Sequence, residues 1–139
     1  MKFYFDTSAL LKGYVVETGS ERVRLGFADA ESITVSVLIE PELFSSLNRL
    51  RREGLVDDTT YSSLRVSIQR DLSAFQIIPI VRAVTLRAIT LVERHPLRAA
   101  DAIHLATALV DSCDVLWTSD RRLKAAALAE GMSVVDPCE

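Results

Sequence analysis

Five short runs rich in β-branched and aromatic residues recur along the chain, and helical patterns separate each run from the next. The runs are KFYF at 2–5, ITVS at 33–36, QIIPI at 76–80, VLWT at 115–118 and MSVV at 132–135. Residues of these types suit a pleated surface, so each run reads as a strand, the third edged by Pro79. Helical spacing fills the intervals at 8–14, 20–29, 38–53, 58–74, 83–94, 97–112 and 121–130. In the fourth of these, Tyr61, Leu64, Ile68, Leu72 and Phe75 trace one apolar stripe. Gly54 and Gly131 mark helix stops, and His95-Pro96 divides two neighbouring helices. Strands that alternate with helices return in the same direction, which predicts an α/β fold with a mostly parallel sheet covered on both faces. In such sheets chemistry collects beyond the carboxyl ends of the strands.

No repeat, linker or low-complexity tract interrupts this alternation, so residues 1–139 read as a single domain. Hydrophobic residues make up 49% and charged residues 25%, a soluble globular balance. No apolar run approaches the ~18 residues of a membrane span. The start, MKFYFDTSALLKGY, lacks the pattern of a secretory signal. Cys113 and Cys138 are distant in sequence and form no ligand cluster, which favours a reduced, cytoplasmic setting over a disulfide or zinc scaffold. The net charge of −3 argues against indiscriminate nucleic-acid binding. Basic residues nevertheless cluster, at Arg49, Arg51 and Arg52 and at Arg121, Arg122 and Lys124. A solvated helix face explains such clusters by default. Position beside an acidic site would favour contact with phosphate instead.

Two carboxylates sit at strand ends, Asp6 in FDTSAL and Asp120 in WTSDRRL. Two more, Glu42 in IEPELFSSL and Asp101 in LRAADAIHLATAL, sit early in helices. Singly, each has an ordinary structural role, as an N-cap or as a complement to a helix N-terminus. Together they suggest more. Asp101 lies in an Ala- and Leu-rich stretch with no Lys or Arg four residues on, and a carboxylate in a mostly buried setting needs a partner or a metal. Hard divalent ions such as Mg²⁺ or Mn²⁺ prefer an all-oxygen set of this kind, and such a set can support phosphodiester hydrolysis. No GxSxG elbow and no P-loop offers another route. His104, three residues beyond Asp101, reads as a packing or polar-edge residue.

Four stretches, FDTSALLK, SVLIEPELFSSL, LRAADAIHLATAL and TSDRRLKAAALAEGMSVVDP, span nearly the whole chain in order. Together they resemble the PIN-domain family, in particular its VapC-type toxins. The resemblance implies a PIN-like α/β/α sandwich around a central five-stranded sheet. It implies a Mg²⁺- or Mn²⁺-dependent endoribonuclease with Asp6, Glu42, Asp101 and Asp120 as catalytic acids. Asp6 and Asp101 would hold the metal, with Glu42 and Asp120 direct or through water, and Ser8 and Thr118 in support. RNA would be the substrate, with Arg121 and Arg122 as candidate contacts to it. The resemblance further implies a small antitoxin partner and a homodimer.

Rival readings predict different residues. A receiver-like acidic signalling module wants a Lys after the last strand, where only DPCE follows. A haloacid-dehalogenase-type phosphatase wants an Asp at the position of Ser8. A catalytically silent PIN-like nucleic-acid-binding protein would keep the fold without turnover. Within IEPEL, Pro41 disfavours helical geometry at Glu40, so Glu40 is expected on the approach loop and Glu42 in the first helical turn.

Overall fold

A computed structural model describes residues 1–139. The five strands are β1 (Lys2–Phe5), β2 (Ser32–Ser36), β3 (Gln76–Ile78), β4 (Val115–Trp117) and β5 (Ser133–Val135). They form one sheet in the order β3-β2-β1-β4-β5, and every neighbouring pair is parallel. The helices are α1 (Thr7–Leu11), α2 (Ser20–Asp29), α3 (Ile39–Arg52), α4 (Asp58–Ala74), α5 (Arg82–Arg94), α6 (Ala99–Val110) and α7 (Arg121–Ala129).

The period-two alternation of strand side chains builds two cores. Tyr4 and Leu116 turn to one face, where α5, α6 and α7 supply Leu91, Leu105, Ala106 and Leu123. Phe5, Val35, Val115 and Trp117 turn to the other, where α1 to α4 supply Leu10, Val23, Leu43, Leu47 and Ile68. The α/β/α sandwich follows directly from strands buried on both faces.

Chain order sets where a crevice opens. From β1 the chain builds outward through β2 to β3, then returns to place β4 and β5 on the other side. β1 and β4 pair in register, Tyr4 against Leu116 and Phe5 against Trp117. Their connections leave in opposite directions, so the gap beyond their carboxyl ends is the topological switch point.

Element boundaries differ from the sequence reading where local chemistry intervenes. The first helix is shorter than 8–14 because Asp6 caps it and a turn follows Leu11. The third strand ends at Ile78, before Pro79, which has no N–H to continue a ladder. The sixth helix begins at Ala99, with Arg98 as its cap residue. Gly54 and Gly131 adopt positive φ, 77° and 83°, just past the ends of α3 and α7, as the sequence predicts. The expectation for Glu40 is corrected. Helix α3 starts at Ile39, so Glu40 is helical and Pro41 is its third residue. The first four N–H groups of a helix have no partner within it, so proline costs no hydrogen bond there, and its bias on the preceding residue is overridden.

Candidate active site

Asp6 follows β1 and caps α1, accepting a hydrogen bond from the Ala9 N–H at 2.9 Å. It is 4% exposed, and hydroxyls surround it. Thr118 Oγ1 donates to Oδ2 at 2.5 Å, and Ser8 Oγ donates to Oδ1 at 2.8 Å. The same two hydroxyls accept from the β4–α7 loop, Thr118 from the Asp120 N–H at 3.0 Å and Ser8 from the Ser119 N–H at 3.0 Å. One buried carboxylate thus ties the end of β1 to the loop that carries Asp120. Burial raises the Asp6 pKa, against the opposing pull of His104 and of its hydrogen-bond donors.

Asp120 caps α7 through Oδ1, which accepts from the Leu123 N–H at 2.9 Å. Asp101 and Glu42 stand in the first turns of α6 and α3. Glu42, Asp101 and Asp120 line a cleft of about 540 Å³ together with Arg98, Arg121 and Arg122. Asp101 is half-buried and has no hydrogen-bond or ion-pair partner. Burial and then the nearby charge of Asp120 raise its pKa, with Asp6 and Glu42 adding to the effect and His104 opposing it. Burial also pushes Glu42 up, but its hydrogen bond to His104, the charge there and the Thr7 hydroxyl outweigh this and hold it below the ordinary value.

The structure therefore gathers the sequence-predicted residues at the switch point in two tiers. Asp6 and Thr118 are buried, with the half-buried Ser8 beside them, while Glu42, Asp101 and Asp120 face the cleft. No three Asp, Glu, His or Cys side chains close on one point tightly enough to ligate an ion by themselves. The donor chemistry still fits a hard divalent cation. The cleft carboxylates offer only oxygen, Asp101 is unpaired, and Oε2 of Glu42 and Oδ2 of Asp120 make no hydrogen bond. Mg²⁺ commonly keeps several waters and needs few protein ligands, which suits carboxylates set around a cleft.

Four neighbours of the site escaped the sequence reading. His104, expected to be a packing or polar-edge residue, is buried with its Nε2 2.6 Å from Glu42 Oε1, a contact to the site that the sequence reading did not assign. Its spacing from Asp101 on one helix was the available signal. Tyr4 and Thr7 contact His104 and Glu42 from β1 and α1, which no local spacing reveals. Arg98 reaches the cleft from the cap position of α6. Elsewhere the bland reading of basic clusters holds. Arg51 pairs with Asp58 at 2.7 Å and lies over the Tyr61 ring, and Lys124 pairs with Glu139 at 2.6 Å.

A PIN-domain family profile matches residues 3–128, a span that includes all four acids. The chain belongs to the PIN-domain family. Its relatives place it among the VapC-type members. Ribonuclease VapC45 of Mycobacterium tuberculosis is 34% identical over 137 residues, which cover 94% of this chain and 92% of that protein. A toxin–antitoxin complex from Klebsiella pneumoniae contains a chain with TM-score 0.70 at 22% identity, covering 96% of each chain. The sarcin-ricin loop cleaving toxin VapC20 of Mycobacterium tuberculosis aligns with TM-score 0.68 at 14% identity, over 89% of this chain and 94% of that one. These structures share the PIN fold with this chain, and the receiver-like alternative drops out.

Proposed function

We propose that this PIN domain, residues 1–139 acting as one unit, is a Mg²⁺- or Mn²⁺-dependent endoribonuclease and the toxin of a toxin–antitoxin pair. The observation that carries this reading is Asp101: a half-buried, unpartnered carboxylate in a cleft that also holds Glu42 and Asp120. Leaving such a group unpaired opposes stability, and a role in binding explains why it stands there. A divalent ion held by Asp101 and Asp6, with Glu42 and Asp120 direct or through water, would offset their charge, polarise a phosphodiester and make water a stronger nucleophile.

The chain's own residues supply the remaining functions. Arg98, Arg121 and Arg122 line the same cleft without ion-pair partners, so their forks are free for phosphate oxygens. They draw a polyanion to a floor that would otherwise repel it. Asp6, held by Ser8, Thr118 and the Ala9 N–H, fixes the Asp120 loop relative to β1. Neither histidine stands free to shuttle protons for an attack by a ribose hydroxyl. His104 is engaged at both ring nitrogens, and His95 is bonded to Glu130 at 2.9 Å in a groove that shares only Arg121 and Arg122 with the acidic cleft. Hydrolysis by water then breaks the P–O3′ bond and leaves 5′-phosphate and 3′-hydroxyl ends.

The names of the relatives support RNA as substrate, and the Klebsiella complex supports a small antitoxin partner. Leu86, Ile89 and Val92 leave an apolar strip on α5, consistent with a protein contact such as a homodimer. No helix is long and apolar enough to cross a membrane. The test is cleavage of defined RNA and DNA oligonucleotides by the purified chain with Mn²⁺, with Mg²⁺ and with EDTA. Metal-dependent RNA cleavage to 5′-phosphate ends is expected. Cyclic 2′,3′-phosphate products, or cleavage unaffected by EDTA, would refute the mechanism.

A further inference from the structure

His104 is 2% exposed, yet both its ring nitrogens are engaged. Nδ1 lies 2.6 Å from the Tyr4 hydroxyl, and Nε2 lies 2.6 Å from Glu42 Oε1. Thr7 Oγ1 donates to the same Glu42 oxygen at 2.8 Å. An ionised carboxylate only accepts, so Nε2 carries a hydrogen and donates, whether the ring is neutral or charged. Tyr4 is fully buried on the central strand, two residues before Asp6, and meets the imidazole edge-on with centroids 5.9 Å apart. Strand β1 thus fixes the tyrosine, the tyrosine fixes the ring, and the ring fixes one oxygen of Glu42.

A packing role alone does not require this arrangement. The surrounding cluster is Leu- and Ala-rich and would accept an apolar side chain without the cost of desolvating an imidazole. A glutamate on a cleft wall has several rotamers open to it, and two donors on Oε1 select one while Oε2 stays free of hydrogen bonds. We propose that Tyr4 and His104 are positioning residues that hold Glu42 in its metal-binding and catalytic orientation. This rests on Glu42 belonging to the acidic site.

The test compares the full-length chain with His104→Leu, His104→Gln, Tyr4→Phe and Glu42→Gln. Mn²⁺ affinity is read by calorimetry, and RNA cleavage at saturating Mn²⁺ is separated into kcat and KM. Loss of such a supporting partner costs about 10–100-fold in metal affinity or activity. His104→Leu should therefore weaken Mn²⁺ binding and lower kcat within that range while KM for RNA is kept. His104→Gln restores an N–H donor and should recover most of both. Tyr4→Phe removes a single oxygen and should fall near the lower end, about tenfold. If His104→Leu binds Mn²⁺ and turns over within twofold of wild type, the proposal is overturned. If His104→Leu does not fold, Tyr4→Phe decides by the same twofold criterion. Glu42→Gln separates the two levels: no loss there refutes Glu42 as a site residue, whereas loss there with intact His104 and Tyr4 variants refutes only the positioning role.

Discussion

Gly26 packs against the strand that leads into the site, and adding one methyl group there should be felt at both. A Cβ at Gly26 would stand 2.5 Å from Trp117 Cη2, 2.7 Å from Cζ2 and 3.1 Å from Cζ3. The first two separations are well inside contact distance, so the ring or α2 must move. The ring has little room: Trp117 is 5% exposed, stacks on Phe5 at 5.1 Å and tilts against Phe3 at 5.5 Å. Overpacking of this kind costs about 1–3 kcal/mol. Alanine is also the better helix former, by about 1 kcal/mol, and Gly26 lies inside α2, so the two effects oppose. The clash should offset or exceed the gain, leaving Gly26→Ala destabilised by up to about 2 kcal/mol, the difference of those two effects. For a chain of this size that is a fall of up to about 10 °C in melting temperature. Thr118 directly follows Trp117 and donates to Asp6, so a displaced indole should also lower cleavage per folded molecule. Circular dichroism melts and initial rates below the transition check both. A rise in melting temperature would show that the ring retreats freely and that helix propensity governs this contact.

Three further outcomes follow from the charges in the cleft. Asp101 has a raised pKa in the fold, so its ionised form opposes folding at neutral pH and its protonated form does not. Asp101→Asn should stabilise the metal-free protein at pH 7, with the gain fading as pH falls through the carboxylate range; a loss at pH 7 contradicts this. Glu42, held below its ordinary value, has the opposite sign: Glu42→Gln should destabilise at neutral pH, the deficit should close in acid, and cleavage should be lost, while the exposed Glu40→Gln should leave both melts and rates near wild type. Replacing Arg98, Arg121 and Arg122 together by Ala should weaken RNA binding and flatten its salt dependence by up to about three phosphate contacts, and an unchanged slope assigns them to solvent.

Much of this architecture was legible because it rests on local patterns. The β-branched runs and the helical stripes fixed the element order, and the glycines after α3 and α7 fixed two helix stops. Parallel pairing followed from alternation, and the switch-point rule sent attention to Asp6 and Asp120. What stayed hidden depended on long-range contact. Tyr4 meets His104 across 100 positions, and His104 meets Glu42 across 62, so no periodicity connects them. Thr7 reaches Glu42 only because α1 and α3 lie side by side. Glu40 was misplaced for another reason: the local bias of a residue before proline is weaker than the pull of Ile39, Leu43 and Leu47 into one buried face. The division of the acids into a buried tier and a cleft tier also needed the fold, since sequence alone does not say which carboxylate a hydroxyl has claimed.

The most direct measurement is cleavage of a defined single-stranded RNA by wild type and Asp101→Asn, with Mn²⁺ added and with EDTA, each preparation verified as folded by its melt. Wild type should cut with Mn²⁺ and stop in EDTA, while Asp101→Asn should stay folded, melt at least as high without metal, and cut at a rate lower by orders of magnitude. A folded Asp101→Asn protein that cleaves as wild type does, or a metal-loaded wild type that cleaves no RNA, would contradict the account.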